Sequence, residues 1–208
     1  MGRPSDSKKR LLDAGRDLVW KRSYGAVTID AICAEAGVKK GSFYHFFDSK
    51  SELVAAVLTE LWGAIKPNLD RAFSPAFPPL DRLQNYFKFI HDDQFALKQK
   101  YGHAVGCLFS CLGSELGGEH EAISAKTREV LSYHGQCLET ALRDAQTEGS
   151  INISDLPGTA QRLASYVQGS LLQARVHDNL ELINDLWAGA SEIIGVKFMP
   201  VPPPPADA

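Results

Sequence analysis

The sequence predicts an all-α protein, an N-terminal three-helix helix–turn–helix unit followed by a C-terminal helical body. Two observations carry this. Apolar residues recur at three- and four-residue spacing along almost the whole chain, and strand-like alternation is absent. Capping residues, glycines and prolines fall where those apolar runs should start and stop.

The first helix is expected from Ser5 or Asp6 to Arg22, with Leu11, Leu12, Ala14, Leu18 and Val19 on its apolar face. Ser23-Tyr24-Gly25 should end it, Gly25 taking a left-handed conformation. Thr28 can cap a short helix to Ala36, Gly37 allows a tight turn, and a second short helix should run from Lys39 to Phe46. Ser49-Lys50-Ser51-Glu52 has the form of a capping box and opens a longer helix reaching Leu61 to Ile65. Pro67 is expected to bend or end that helix. After the proline-rich break at 74–79, further helices are expected near 80–99, 105–117, 119–148, 157–178 and 181–198. The tail from Pro200 to Ala208 reads as disordered by composition.

The 208 residues suit one ordinary domain with a small appended one. Net charge is −3, but residues 1–50 hold ten Lys/Arg against six Asp/Glu, so a head of +4 sits on a remainder of −7. Only the head is suited to a polyanion. Neither a signal peptide nor an apolar run of membrane-spanning length is visible, so a cytoplasmic location without membrane association is expected. The cysteines Cys33, Cys107, Cys111 and Cys137 form no CxxC pair, which predicts reduced thiols and no zinc site.

Residues 28–58 carry the strongest functional signal. Ile29, Ile32 and Ala36 give one apolar stripe, Val38 plugs the turn, and Phe43, Phe46 and Phe47 lock the second helix onto the first. A recognition helix must stand rigidly proud of its support to enter a major groove. Its remaining residues, Lys39, Lys40, Gly41, Ser42, Tyr44 and His45, are small, basic or hydrogen-bonding. Thr28 and Lys50 complete the expected DNA-binding set, Lys50 offering a phosphate both its charge and a helix N-terminus. The run GVKKGSFYHFFDSKSEL, with Thr28, Ile32 and Ala36 before it, resembles the recognition region of the TetR family of bacterial repressors. That resemblance implies a homodimer, a palindromic double-stranded DNA operator and release of DNA when a small-molecule inducer binds. It divides the chain into a DNA-binding domain at 1–50, a ligand-binding and dimerisation domain at 51–199 and a tail at 200–208.

In the body, Leu163, Ala164, Val167, Leu171 and Ala174 form one apolar stripe, and Ile183, Leu186, Trp187, Ala190, Ile193 and Ile194 another. Both look like association elements, and the resemblance implies that these last two helices pair across a two-fold axis. It also implies a ligand held between the helix after the head and the middle helices. The expected ligand-binding residues are polar or reactive groups on apolar faces: Trp62, Cys107, Cys111, His134, Tyr166 and Gln173. Cys107 and Cys111 are four apart and so fall on one helical face, with His103 one turn earlier. A helix N-terminus at Cys107 should favour thiolate and lower its pKa. The GCL…SEL pattern here is similar to a TetR subgroup in which some members respond to small electrophiles or short unsaturated acids. No nucleotide loop, GxSxG elbow or metal-ligand spacing is present, so neither an enzyme nor a cofactor is expected. A plain architectural DNA-binding protein would not need so large an aromatic-containing body.

Overall fold

In the computed structural model, which describes residues 4–196, nine α-helices and one 3-10 turn follow one another, with no strand among the described residues. The proline-rich tail from Pro200 lies outside the described residues. The head comprises α1 (Pro4–Arg22), α2 (Ile29–Ala36) and α3 (Lys40–Phe46). The body comprises α4 (Lys50–Ala72), α5 (Pro79–Tyr101), α6 (Leu108–Leu116), α7 (Glu121–Thr147), α8 (Leu156–Val176), the 3-10 turn Leu180–Ile183 and α9 (Leu186–Ile194).

Local chemistry fixes the head. Thr28 Oγ1 accepts from the Ala31 amide at 3.1 Å and starts α2. Gly37 ends it in the left-handed region, at φ 62°. Ile32, Cys33 and Ala36 of α2 then pack with Phe43 and Phe47 and with the buried α1 residues Leu11, Ala14 and Leu18. The capping box forms with a shift. Ser49 Oγ accepts from the Glu52 amide at 3.1 Å, while Glu52 accepts from the Asp48 amide at 2.6 Å, one residue before the cap.

The end of α1 departs from expectation. Ser23, not Gly25, takes the positive φ, at 116°. The amides of Tyr24 and Gly25 are both held by Glu115 of α6, so long-range bonds, rather than the freedom of Gly25, set where the chain reverses.

Helix α4 joins head to body. Near its start, Leu53 and Val57 lie against Gly15 of α1, where an added Cβ would collide with Leu53. Farther along, Trp62 meets Tyr133 of α7 edge-on, with ring centroids 5.3 Å apart. The helix continues past Pro67 to Ala72, so Pro67 does not end it. Proline removes the donor to the carbonyl four residues back, here that of Gly63. Gly63 and Pro67 are both exposed, so water can serve that carbonyl, and buried Trp62 and Leu69 keep the helix seated on either side.

Helix α7 is central, touching α4, α5, α6 and α8. Arg82, buried near the start of α5, bonds Asp144 of α7 at 2.6 Å and the Phe77 carbonyl at 2.7 Å, which fixes the break before α5.

The expected final helix is divided. Asn179 opens the 3-10 turn by accepting from the Glu181 amide at 2.9 Å, and Asp185 interrupts with non-helical backbone before α9 begins. Positions 197–198 lie outside the described residues. The two stripes assigned to subunit association also need correction. Leu163, Val167, Leu171 and Ala174 are buried within the chain, as are Ile183, Leu186, Ala190 and Ile194. Because α8 packs against both α7 and α9, it needs an inward stripe of its own. Its outward apolar residues are Leu172 and Val176, 55% and 68% exposed.

Candidate functional site

The exposed face of α3 gathers most of the residues expected to read DNA. Lys39, Lys40, Gly41, Tyr44 and His45 are exposed and Ser42 is half-buried, while Phe43 between them is fully buried and anchors the helix. Tyr44 is 50% exposed although its ring stacks edge-on against Phe43. Lys40 makes a surface ion pair with Asp30 at 2.8 Å, a bond that a phosphate can exchange. Nothing lies within 4 Å of a Cβ built on Gly41, so packing within the chain does not demand glycine there. Thr28, exposed at the start of α2, uses its oxygen as a cap and keeps its hydroxyl proton to donate.

Lys50 differs from these. Its ammonium turns inward, donating to the carbonyls of Tyr24 and Val27, both at 2.8 Å, and lying 3.9 Å from the centre of the Tyr24 ring. Burial lowers its pKa. The expected phosphate contact is therefore corrected to a loop clamp, because a lysine between two carbonyls has at most one N–H left to offer. Opposite it, Glu115 accepts from the amides of Tyr24 at 2.9 Å and Gly25 at 2.7 Å, and His120 bonds the Tyr24 hydroxyl at 3.1 Å. The loop between α1 and α2 is thus gripped by α4 from one side and by α6 and the residue before α7 from the other. Glu115, Tyr24 and His120 gave no signal in the sequence, since their meeting depends on the packing of the body against the head.

Two cavities meet near the start of α6. One, narrow, of about 50 Å³, is lined by residues that include Cys107, His134, Asp93, Gln94 and Gln168 among apolar side chains. The other, wider and open, of about 620 Å³, includes Ser23, Cys107, Cys111, Glu115, Gln168 and Arg175. Of the six residues expected to bind ligand, only Cys107 and His134 share the narrow cavity, and Cys111 faces the wider one. Trp62 backs His134, with ring centroids 6.1 Å apart. Tyr166 lies under α9, where a Cβ on Gly189 would collide with its ring, and Gln173 is exposed on another face. The helical repeat turns Gln168 and Leu171 inward and so carries Tyr166 and Gln173 away. His103 precedes α6 and bonds the Tyr101 carbonyl at 3.1 Å, so it does not continue the cysteine face.

The thiolate expected at Cys107 is also corrected. Cys107 occupies the N-cap position of α6 without a side-chain cap bond, and burial raises its pKa, outweighing the nearby Ser110 and Phe109 donors that favour thiolate. Burial raises Cys111 too, although Arg175 Nη1 lies 2.6 Å from its sulfur and opposes the shift. His134, hydrogen-bonded to Tyr86 at 3.1 Å, is pushed down by burial to about 4. Three residues outside the expected set belong to this region. Gln168 lines both cavities and bonds Ser110 at 2.5 Å, Arg175 ties α8 to the carbonyls of Val105 and Trp20, and Asp93 lines the narrow cavity from α5. Among the described residues, no group of three or more His, Cys, Asp or Glu is arranged to hold a metal ion, and no helix is long and apolar enough to cross a membrane.

Residues 11–57 match the family described as bacterial regulatory proteins, tetR family, and residues 79–189 match the tetracyclin repressor-like C-terminal domain. The chain is 29% identical over 206 residues to an HTH-type transcriptional regulator in the lacX 3' region of Lactococcus lactis subsp. lactis, covering 92% of this chain and 96% of that one. It is 26% identical over 176 residues to the HTH-type transcriptional repressor DhaR of Mycobacterium sp. (strain GP1), covering 84% and 85%. Among solved structures, the reduced form of NemR from E. coli aligns with a TM-score of 0.77 at 26% identity, over 93% of this chain and all of that one.

Proposed function

The chain belongs to the tetR family of bacterial regulatory proteins and is a DNA-binding transcriptional regulator; we propose that it acts as a repressor, binding a palindromic operator as a homodimer and released by a small molecule. The observation that carries this is the α3 face, where Lys39, Lys40, Gly41, Ser42, Tyr44 and His45 stand clear of the core on a helix anchored by Phe43. Thr28 joins this face from α2, and Lys50 positions it. Two such faces fit successive major grooves only when held about one helical turn of DNA apart, ~34 Å.

The division proposed is a DNA-binding domain at 1–50 and a ligand-binding, dimerising domain at 51–199. A ligand in the body releases DNA by favouring another spacing of the heads, to the extent that it prefers that state. The grip of Glu115 and Lys50 on the loop after α1 supports such coupling, since α6 lines the open cavity with the same residue that holds the head.

Selection of bound duplexes from random DNA, followed by mobility shift, tests this reading. It is expected to enrich a two-fold symmetric site with half-sites roughly one turn apart. Enrichment of an asymmetric site, or none, would remove the palindrome. A screen in which no small molecule releases the enriched duplex would remove induction.

A further inference from the structure

Asp93 is a carboxylate placed among apolar walls. It continues the inward stripe of α5 formed by Leu83, Tyr86 and Ile90, beside buried Gln94. It faces the narrow cavity between α4, α5, α6, α7 and α8. Its side-chain hydrogen bond comes from Gln94 Nε2 at 3.5 Å, the outer limit for such a bond. No lysine or arginine lines this cavity, and His134 is neutral near pH 7, so Asp93 is the one source of formal charge among the lining residues. A carboxylate in a low-dielectric pocket without a counter-charge is costly. Burial raises its pKa in consequence. A ligand bringing a positive charge offsets that cost, whereas an anionic ligand adds to it.

We propose that this cavity binds a small amphipathic amine, its ammonium donating to the Asp93 carboxylate and its alkyl part packing on Trp20, Leu61, Ile65 and Phe89. The inference deepens the proposed ligand response and rests on it for biological meaning, though not for binding. The volume of about 50 Å³ holds roughly four water-sized positions, which suits an amine of four or five non-hydrogen atoms. A carboxylate of the same length would place like charge against Asp93 in a medium that screens poorly. An alcohol would keep the apolar packing and forgo the charge-assisted bond.

The test uses the full-length protein with n-butylamine, 1-butanol and butyrate as probes, read by calorimetric titration and thermal shift, on wild type and on the isosteric Asp93→Asn. The expected result is that butylamine binds wild type about tenfold or more tightly than butanol, that butyrate does not bind, and that Asp93→Asn loses the preference for the amine. Without ligand, Asp93→Asn is expected to melt at the same temperature or higher, because a half-buried charge without a counter-charge has gone. The proposal is overturned if the variant binds butylamine as wild type does, if butyrate binds as well as butylamine, if none of the three binds, or if the ligand-free variant melts lower. Operator release is scored separately. Binding through Asp93 without release leaves this inference standing and removes the amine as the inducer. Release by another compound equally from both proteins, with no amine binding, removes this inference and leaves induction standing.

Discussion

Cys107 and His134 line the same narrow cavity, and burial keeps both uncharged, raising the thiol and lowering the imidazole. The histidine makes stability depend on pH in a definite direction. Its folded pKa is about 4 against 6.5 for the free side chain, so between these values the unfolded chain binds the extra proton. The contribution is complete above pH 6.5 and is lost as pH falls toward 4, on the order of 3 kcal/mol in all. Urea unfolding at stepped pH checks this, with His134→Asn expected to flatten the slope across that window. On α3, Tyr44→Ala and His45→Ala are expected to weaken operator binding by on the order of 1–3 kcal/mol each if the side chain reads a base edge. Both residues are exposed, so thermal stability should stay within about 0.5 kcal/mol of wild type; unchanged affinity in both variants would remove this face from DNA recognition. The α3 residues were legible in the sequence because a short helix anchored by Phe43 and Phe47 leaves its other positions outward. Asp93 had a signal, an acid between Ile90 and Leu97 on the apolar stripe of α5, but spacing alone does not say whether such a residue meets water, a partner or a cavity.

At the scale of elements, helix periods and caps were readable where the chemistry is local, as at Thr28, Gly37 and Ser49. Reading failed where distant contacts decide. Pro67 stays inside α4 because α7 holds the helix on both sides of it, and Ser23 takes the reversal because Glu115 holds the next two amides. The Glu115 grip gives a prediction about coupling. Glu115 is exposed, so its two charge-assisted bonds are discounted for water, and Glu115→Ala should cost only about 1 kcal/mol of global stability. Its local effect should be larger. Amide hydrogen exchange at Tyr24 and Gly25 is expected to accelerate, and operator affinity to fall several-fold, because α2 and α3 hang from that loop. Unchanged exchange at both amides would show that Lys50 and the Tyr24–His120 bond hold the loop without Glu115.

At the scale of the molecule, the helical period and the break at 74–79 were enough for the all-α class, and the +4 head on a −7 remainder located the polyanion-facing end. The subunit face was not legible, because the helical repeat identifies an apolar stripe and does not say which neighbour it meets. α8 carries two such faces. Leu163, Val167 and Leu171 face its own chain, while Leu172 and Val176 face outward, in register with exposed Gly169 and Ser165 one and two turns earlier. Val167 and Ala190, both 0% exposed, are therefore poor places to test assembly, since a buried charge there would unfold the protomer and abolish DNA binding for an unrelated reason. Leu172→Glu tests it cleanly. In a lone protomer the change replaces exposed apolar surface with charge and should cost little. In a two-fold interface it places the carboxylate and its symmetry mate in the same apolar seam. Light scattering should then move from about twice 22.7 kDa to a single chain, with the far-ultraviolet helical signal retained. Operator affinity should fall with it, since one head lacks the second half-site contact. A Leu172→Glu protein that remains dimeric and binds operator as wild type does would place the interface elsewhere.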